Sequence, residues 1–400
     1  MYQKWGYEYL GPVLAGYCKW LYEDLKKKRI KQVFFLSRDG DILRKAFVAM
    51  GYEKEFLIHY LCVSRKSLRT AYLYEISQYE DFKKMLPLAH SLSLQEIAGY
   101  FSLPLEECKK ATAEAGLQMG KIYHTEKLLS DDRFKIWWEK IKPCVKKASG
   151  KQRELLKCYF LQENFVGTVA IVDIGWRGNM QLYLDTMRKN MGISGCIEGY
   201  YLGLNVSARS LPQDIQAHMQ GYLFFENRKY ESIDVNPYIG LLELFFTNKD
   251  GSACRYESAE DGHVIPVKDE NELIRDHKEQ LCKIGQIQDG ALHFIETNWR
   301  QVVNSKNEPL KIYKKLHKRC LYPDKEMLCL FGDFYFKEDK IRPLFEKNTK
   351  IYYVRNLIQL RKDFQSATWK SGFLRNLLGF VPPYSVLFSI YYRLVQRGIR

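Results

Sequence analysis

Several familiar signatures of chemistry are missing from this sequence. None of its 10 cysteines belongs to a Cys-x-x-Cys pair, and they stand far apart, at positions such as Cys18, Cys62, Cys108, Cys144, Cys158 and Cys196, mostly within apolar segments. That pattern speaks against a disulfide framework or a zinc ribbon and favours reduced, packed thiols in a cytoplasm. The eight histidines show no metal-ligand spacing, and there is neither a nucleophile elbow nor a phosphate loop ending in Lys-Ser or Lys-Thr. The opening residues Met1-Tyr2-Gln3-Lys4-Trp5 are not a charged stretch leading into an apolar run, so no secretory signal is expected. No internal repeat or low-complexity tract occurs.

Positive charge, by contrast, is plentiful. A formal net charge of +15 points to an anionic partner: nucleic acid, a phosphorylated substrate or an anionic membrane face. The lysines fall in short clusters, as in Lys26-Lys27-Lys28, Lys83-Lys84, Lys109-Lys110 and Lys146-Lys147, with no dense basic block and no nucleic-acid motif. Solvated helix faces are the simplest reading of these clusters, and no specific nucleic-acid partner is expected. With 400 residues and 46% hydrophobic content the chain can bury a sizeable core.

Periodicity supplies the organisation. Leu10, Val13, Leu14, Tyr17, Leu21 and Leu25 recur at helical spacing and predict an amphipathic helix over 9–27, with Pro12 tolerated in its first turn. Gln32-Val33-Phe34-Phe35-Leu36 reads as a buried strand, followed by Ser37-Arg38-Asp39-Gly40-Asp41 and a helix closed by Gly51. A second strand, 56–63, ends at Ser64-Arg65-Lys66-Ser67. Polar, helix-forming sequence interrupted by Pro87, Pro104 and Pro143 then predicts an insertion without strands. Strands resume at 167–172, ending at Asp173, and further candidates span 196–204 and 219–225. Beyond Asp269 the pattern is mainly helical, through 277–304, 309–319 and 352–364.

The expected architecture is therefore α/β: a Rossmann-like parallel sheet with helices on both faces, a helical insertion and a mainly helical C-terminal region. The boundaries are 1–67 for the first part of the α/β core, 68–163 for a cap-like helical insertion, 164–268 for the second part of the core and 269–400 for the C-terminal region. The last stretch, 379–392, is apolar and aromatic, is interrupted by Pro382-Pro383 and is flanked by Lys370, Arg375, Arg393, Arg397 and Arg400. It is too short and broken to cross a bilayer, but it suits an anionic membrane surface; a helix packed on the domain is the competing reading.

Ligands of open parallel sheets bind beyond the carboxyl ends of the strands, and the motifs richest in chemistry fall there. Arg38-Asp39-Gly40-Asp41 sets two carboxylates two residues apart at a strand end, suited to holding Mg²⁺ against phosphate oxygens or to attacking phosphorus directly. Asp41 also stands where a helix N-cap is expected, and Asp39 where a salt bridge to Arg38 or Arg65 would serve. Ser64, Arg65 and Lys66 offer hydroxyl and cations for a phosphate. In Asp173-Ile174-Gly175-Trp176-Arg177-Gly178-Asn179 two glycines bracket a Trp-Arg pair; Arg177 can grip an anion, and Trp176 can stack on a sugar or plug the sheet top. Glu243, a lone acid in Leu242-Glu243-Leu244-Phe245-Phe246, must be paired or functional.

Phe35-Leu36-Ser37-Arg38-Asp39-Gly40, Ser64-Arg65-Lys66-Ser67, Val172-Asp173-Ile174-Gly175-Trp176-Arg177-Gly178, and Glu243 with Asp250-Gly251-Ser252 together resemble the haloacid-dehalogenase (HAD)-superfamily-like hydrolases, and their companion domains, of bacterial surface-polysaccharide loci. The resemblance covers roughly residues 1–260 in four patches. It implies Asp39 as phosphorylated nucleophile, Asp41 as general acid/base, Ser64 as phosphate ligand, and Asp39 with Asp173 around Mg²⁺, beneath a closing helical cap. The expected substrate is a phosphorylated sugar or nucleotide-sugar, and the expected place is the cytoplasm, at the inner face of the membrane. The residues leave two other readings open: a glycosyltransferase using Asp39 and Asp41 as a metal-nucleotide-sugar site, and a non-catalytic scaffold.

Overall fold

A computed structural model describes residues 1–87, 89–224, 235–269, 276–304, 309–337 and 341–379. Five strands form a parallel sheet: β1 (Gln32–Leu36), β2 (Leu57–Leu61), β3 (Val169–Trp176), β4 (Ile197–Leu204) and β5 (Met219–Gly221). Their spatial order is β2-β1-β3-β4-β5, every pairing being parallel. The chain leaves β1 for β2 on one side and returns to β3 on the other, which makes the gap beyond the carboxyl ends of β1 and β3 the topological switch point.

Alternation along the strands explains why both faces carry helices. Val33, Phe35, Ala170, Val172, Tyr200 and Leu202 enter one apolar core, whereas Phe34, Leu36, Leu61, Val169, Ile171 and Ile197 enter another. The first core is covered by α1 (Gly11–Lys28), through Leu14 and Leu21, and by α2 (Gly40–Ala49), through Leu43 and Phe47. The second is covered by α3 (Arg65–Tyr72), α4 (Asp132–Gln162) and α5 (Asn179–Asn190), through Leu68, Leu156, Leu184 and Met187.

Residues 73–145 gather a core of their own around Phe82, Phe101, Phe134, Trp137 and Trp138, with Phe82 stacked on Trp138 at 3.9 Å. Two local expectations for this region need correction. A two-residue ladder joins Ser91–Leu92 to Tyr123–His124, a pairing too short to leave a periodic signal. Pro143 does not end a helix but lies inside α4, where Trp137, Trp138, Ile141 and Val145 on one buried face outweigh the single lost backbone bond.

The C-terminal region completes the first core. α6 (Lys278–Asn304) lies against the start of the chain so closely that a Cβ on Gly6 would stand 1.8 Å from the Ile287 carbonyl oxygen, and one on Gly290 would stand 1.9 Å from that of Gln3. Only glycine permits that backbone approach. Further on, the helix expected over 352–364 is two, Lys350–Arg355 and Leu357–Ser366, broken at Asn356 where φ is −134° and ψ 65°. Residues 380–400, which hold most of the basic amphipathic tail, and Phe225 of the expected last strand lie outside the described residues.

Near the site, β3 runs beyond its expected end at Val172, carrying Asp173 inside the strand and continuing to Trp176 beside Leu204 of β4. The continuation depends on Gly175, whose φ of +103° disfavours any side chain and where a Cβ would stand 2.2 Å from the Gly203 carbonyl oxygen. Gly175→Ala is therefore expected to cost about 2–4 kcal/mol in urea denaturation. A loss below about 0.5 kcal/mol would mean that the β3–β4 spacing gives way freely.

Candidate functional site

β1 and β3 stay in register only as far as Phe35 and Val172. After Leu36 the chain turns away: the Ser37 amide donates to the Leu61 carbonyl, and Arg38 takes a left-handed conformation at φ 54°. Asp39 then occupies the N-cap position of α2, with no capping bond from its side chain, and Asp41 falls in the first helical turn rather than at the cap. Meanwhile β3 continues past the point where β1 has left it, so Asp173 faces the gap with Tyr201 of β4 on its other side.

Asp39 and Asp173 are brought together here, both half-buried. Burial raises the Asp39 carboxyl above its usual range, with Arg38 and Arg65 partly offsetting it. Burial first, and then repulsion from Asp39, push Asp173 up to about 7; the Ile174 amide, which donates to Asp173 Oδ1 at 2.8 Å, and the cations Arg65 and Arg38 oppose the rise. Both carboxyls are thus pushed above their ordinary range by burial, Asp173 the further of the two. The buried Tyr17 and Tyr201 lie close enough for Asp173 to raise their own pKa values beyond the effect of burial, and neither was singled out by its place in the sequence.

The other candidate residues are distributed as follows. Asp41 is buried and fastened on its own helix, to Arg44 at 2.9 Å and Lys45 at 2.8 Å. Burial works to raise its pKa, but the bonds from Lys45 and Arg44 outweigh it and hold the carboxyl below its ordinary value. Ser64 caps α3 by accepting from the Ser67 amide at 3.1 Å, and its one proton goes to the Ala253 carbonyl at 2.5 Å. Lys66 pairs with Asp269 at 3.2 Å. Arg65 and Arg177 are exposed. Trp176 is only 3% exposed, stacks on Phe224 and donates through Nε1 to Glu243 at 2.8 Å, so the indole closes the sheet top and Glu243 is its acceptor. The positions thus gathered at the gap are Arg38, Asp39, Arg65 and Asp173.

Comparison with protein-family models and with curated proteins finds no match to this chain. The parallel sheet and its switch point are consistent with a Rossmann-like fold.

The raised Asp173 pKa carries a stability consequence. In the unfolded chain the carboxyl loses its proton near 4, in the folded protein near 7, so the native state binds more protons across that window and its stability falls as pH rises through it. In chelator-treated buffer, Asp173→Asn, which keeps an acceptor for Ile174, is expected to exceed the wild type in stability at pH 8 by on the order of 1–2 kcal/mol, a value discounted for partial solvation. The gap should close by pH 4. Parallel stability curves from pH 4 to 8 would show that burial does not perturb this group.

Proposed function

We propose that this chain is a HAD-like, Mg²⁺-dependent phosphatase or phosphotransferase acting on a phosphorylated sugar or nucleotide-sugar in bacterial surface-polysaccharide assembly. The observation that carries the reading is the convergence of Asp39 and Asp173 at the switch point, with the charge of Asp39 raising the Asp173 pKa and Arg38 and Arg65 opposing it. Two half-buried carboxyls, one raising the other's pKa, call for a cation between them. A hard divalent ion fits that oxygen donor set, and Asp39 and Asp173 would hold it. When bound, Mg²⁺ neutralises charge at the phosphate oxygens.

In this reading an oxygen of Asp39 attacks phosphorus, and the bond from phosphorus to the leaving oxygen breaks with its electron pair on that oxygen. The oxygen of water or of a sugar hydroxyl then attacks that phosphorus, the bond from Asp39 to phosphorus breaks with its electron pair returning to the carboxylate, and the proton of the attacking hydroxyl passes to solvent. Arg38 and Arg65 meet the anionic substrate as it enters. Asp41, the acid/base that the resemblance implies, is held ionised by Arg44 and Lys45 and is a poor proton donor. The site therefore suits a leaving group that departs without a proton, such as the phosphomonoester (sugar phosphate or nucleoside monophosphate) released when the diphosphate link of a nucleotide-sugar is broken. The same clamping weighs against an Asp39–Asp41 metal-nucleotide site for glycosyl transfer.

Mg²⁺-dependent release of phosphate from sugar phosphates and aryl phosphates, and of nucleoside monophosphate from nucleotide-sugars, tests this reading. Asp39→Asn and Asp173→Asn should each lower turnover by at least about 100-fold with folding intact. Aryl phosphates and nucleotide-sugars should outrun alkyl phosphates. Release that survives in Asp39→Asn would place the nucleophile elsewhere, sugar transfer without a phosphoenzyme would favour the glycosyltransferase, and silence on every substrate would leave the scaffold.

We also propose that the protein works against the inner, anionic face of the membrane. Among the described residues no helix is long and apolar enough to cross a bilayer. Yet Ile351, Val354, Leu357 and Ile358 are 67–76% exposed around the Asn356 break, and the same short stretch carries the exposed cations Lys350, Arg355, Arg361 and Lys362. Aliphatic side chains amid cations are the composition of an interfacial contact. Replacing Val354 and Ile358 by Asp is expected to weaken co-sedimentation with phosphatidylglycerol vesicles at least about tenfold, from lost apolar burial and added repulsion. Unchanged binding would remove this surface from the proposal.

A further inference from the structure

A second cluster lies at the opposite, amino-terminal edge of the sheet. Cys196 immediately precedes β4, Glu198 is the second residue of that strand, and His218 immediately precedes β5. The spacing of two sends Cys196 and Glu198 to the same face. The register Gly199 to Met219 puts His218 directly across from Glu198. Backbone pairing alone therefore assembles a thiol, a carboxylate and an imidazole, although the histidines show no such spacing along the chain.

The three side chains converge on one point. His218 Nδ1 is 2.6 Å from Glu198 Oε1 and 3.3 Å from Cys196 Sγ, and Cys196 Sγ is 4.0 Å from the same Glu198 oxygen. A Cys-His-Glu relay would place the thiol on one ring nitrogen and the carboxylate on the other. Here both contacts fall on Nδ1, which cannot donate to Glu198 and accept from Cys196 with a single proton or lone pair. That excludes an activated-nucleophile arrangement. One partner can satisfy all three donors together: a cation seated between them.

We propose that Cys196, Glu198 and His218 bind a zinc ion. The donor set of thiolate, imidazole and carboxylate oxygen is the set that zinc takes, and the thiolate selects against magnesium. With zinc bonds of about 2.0–2.3 Å, tetrahedral donors stand about 3.3–3.6 Å apart, so the observed separations need to change by only about 0.2–0.7 Å. Lys28 Nζ holds the other Glu198 oxygen at 2.6 Å, which fixes the carboxylate and leaves Oε1 as its one ligand atom. Lys28 is itself 3.5 Å from Asp24. The fourth position faces a cleft of about 180 Å³ lined by Cys196 and His218 together with Gln181, Asp185, Lys189 and Asp214. It is open to water or to a small anionic ligand, which is the coordination of a working zinc site rather than a closed structural one.

Titrating the chelator-treated full chain with Co²⁺ under reducing conditions tests the site. The expected result is a thiolate-to-cobalt charge-transfer band and the intense visible bands of tetrahedral coordination, both saturating at one equivalent of Co²⁺ with millimolar Mg²⁺ present and both erased by one equivalent of Zn²⁺. Cys196→Ser should abolish the charge-transfer band. His218→Ala, at a side chain 44% exposed, should weaken binding at least about 100-fold without disturbing the fold. Cys158→Ser, at an exposed thiol elsewhere, and Asp39→Asn should bind as the wild type does. Absence of the band in wild type, or its persistence in a folded Cys196→Ser, overturns the proposal.

Discussion

The candidate site depends on one backbone event, the departure of β1 from β3 after Leu36. While the strands are paired, Phe35 and Val172 close the sheet against each other; beyond them β3 keeps its partner β4 and loses β1. The left-handed Arg38 makes the turn, and Asp39 and Asp173 meet across the space it leaves. Had β1 run on, Asp173 would lie in a continuous sheet, facing a strand rather than a ligand. The position of the pair follows from chain topology, since the switch from β2 back to β3 occurs at this gap and nowhere else among the five strands.

Electrostatics then separates three carboxylates that look alike in sequence. Asp41 has an Arg and a Lys at helical spacings of three and four, and its charge is satisfied locally. Asp39 and Asp173 have each other, with cations near enough to soften the repulsion but not to cancel it. Leaving like charges half-buried is costly, and packing does not require it: an Asn at position 173 would keep the bond from the Ile174 amide. A pair held against its own repulsion is what a cation-dependent site needs before its cation arrives, and that is the physical content of the phosphoryl-transfer proposal.

Much of the fold was legible because buried parallel strands are short apolar runs and their helices are amphipathic. β1, β4, α1 and α6 lie within a few residues of where the spacing placed them. The misses share a cause, since each depends on contacts distant in sequence. Pro143 reads as a helix breaker until Trp137 and Trp138 are seen buried on one face of the continuous helix α4. Trp176 reads as a stacking platform rather than a plug until Phe224 and Glu243 are seen to close around it. Ser64 reads as a phosphate ligand until its proton is found on Ala253, 189 residues away. The Cys196, Glu198 and His218 cluster is invisible to any search for spacing, because strand register, not sequence distance, sets His218 beside Glu198.

The two clusters also show how a parallel sheet sorts chemistry between its ends. At the carboxyl edge strands hand over to helix N-termini, and here that edge collects hard oxygen donors at the chain's switch point. At the amino edge the donors are softer: a thiol, an imidazole and a carboxylate steered by Lys28. β3 and β4 run through both regions, from Val169 paired with Ile197 beside Cys196 to Asp173 paired with Tyr201 under the carboxylate pair. In the two proposals, an ion at either end would act on the same two strands while the donor chemistry would keep the ions distinct, hard oxygen donors at one edge and a thiol with an imidazole at the other.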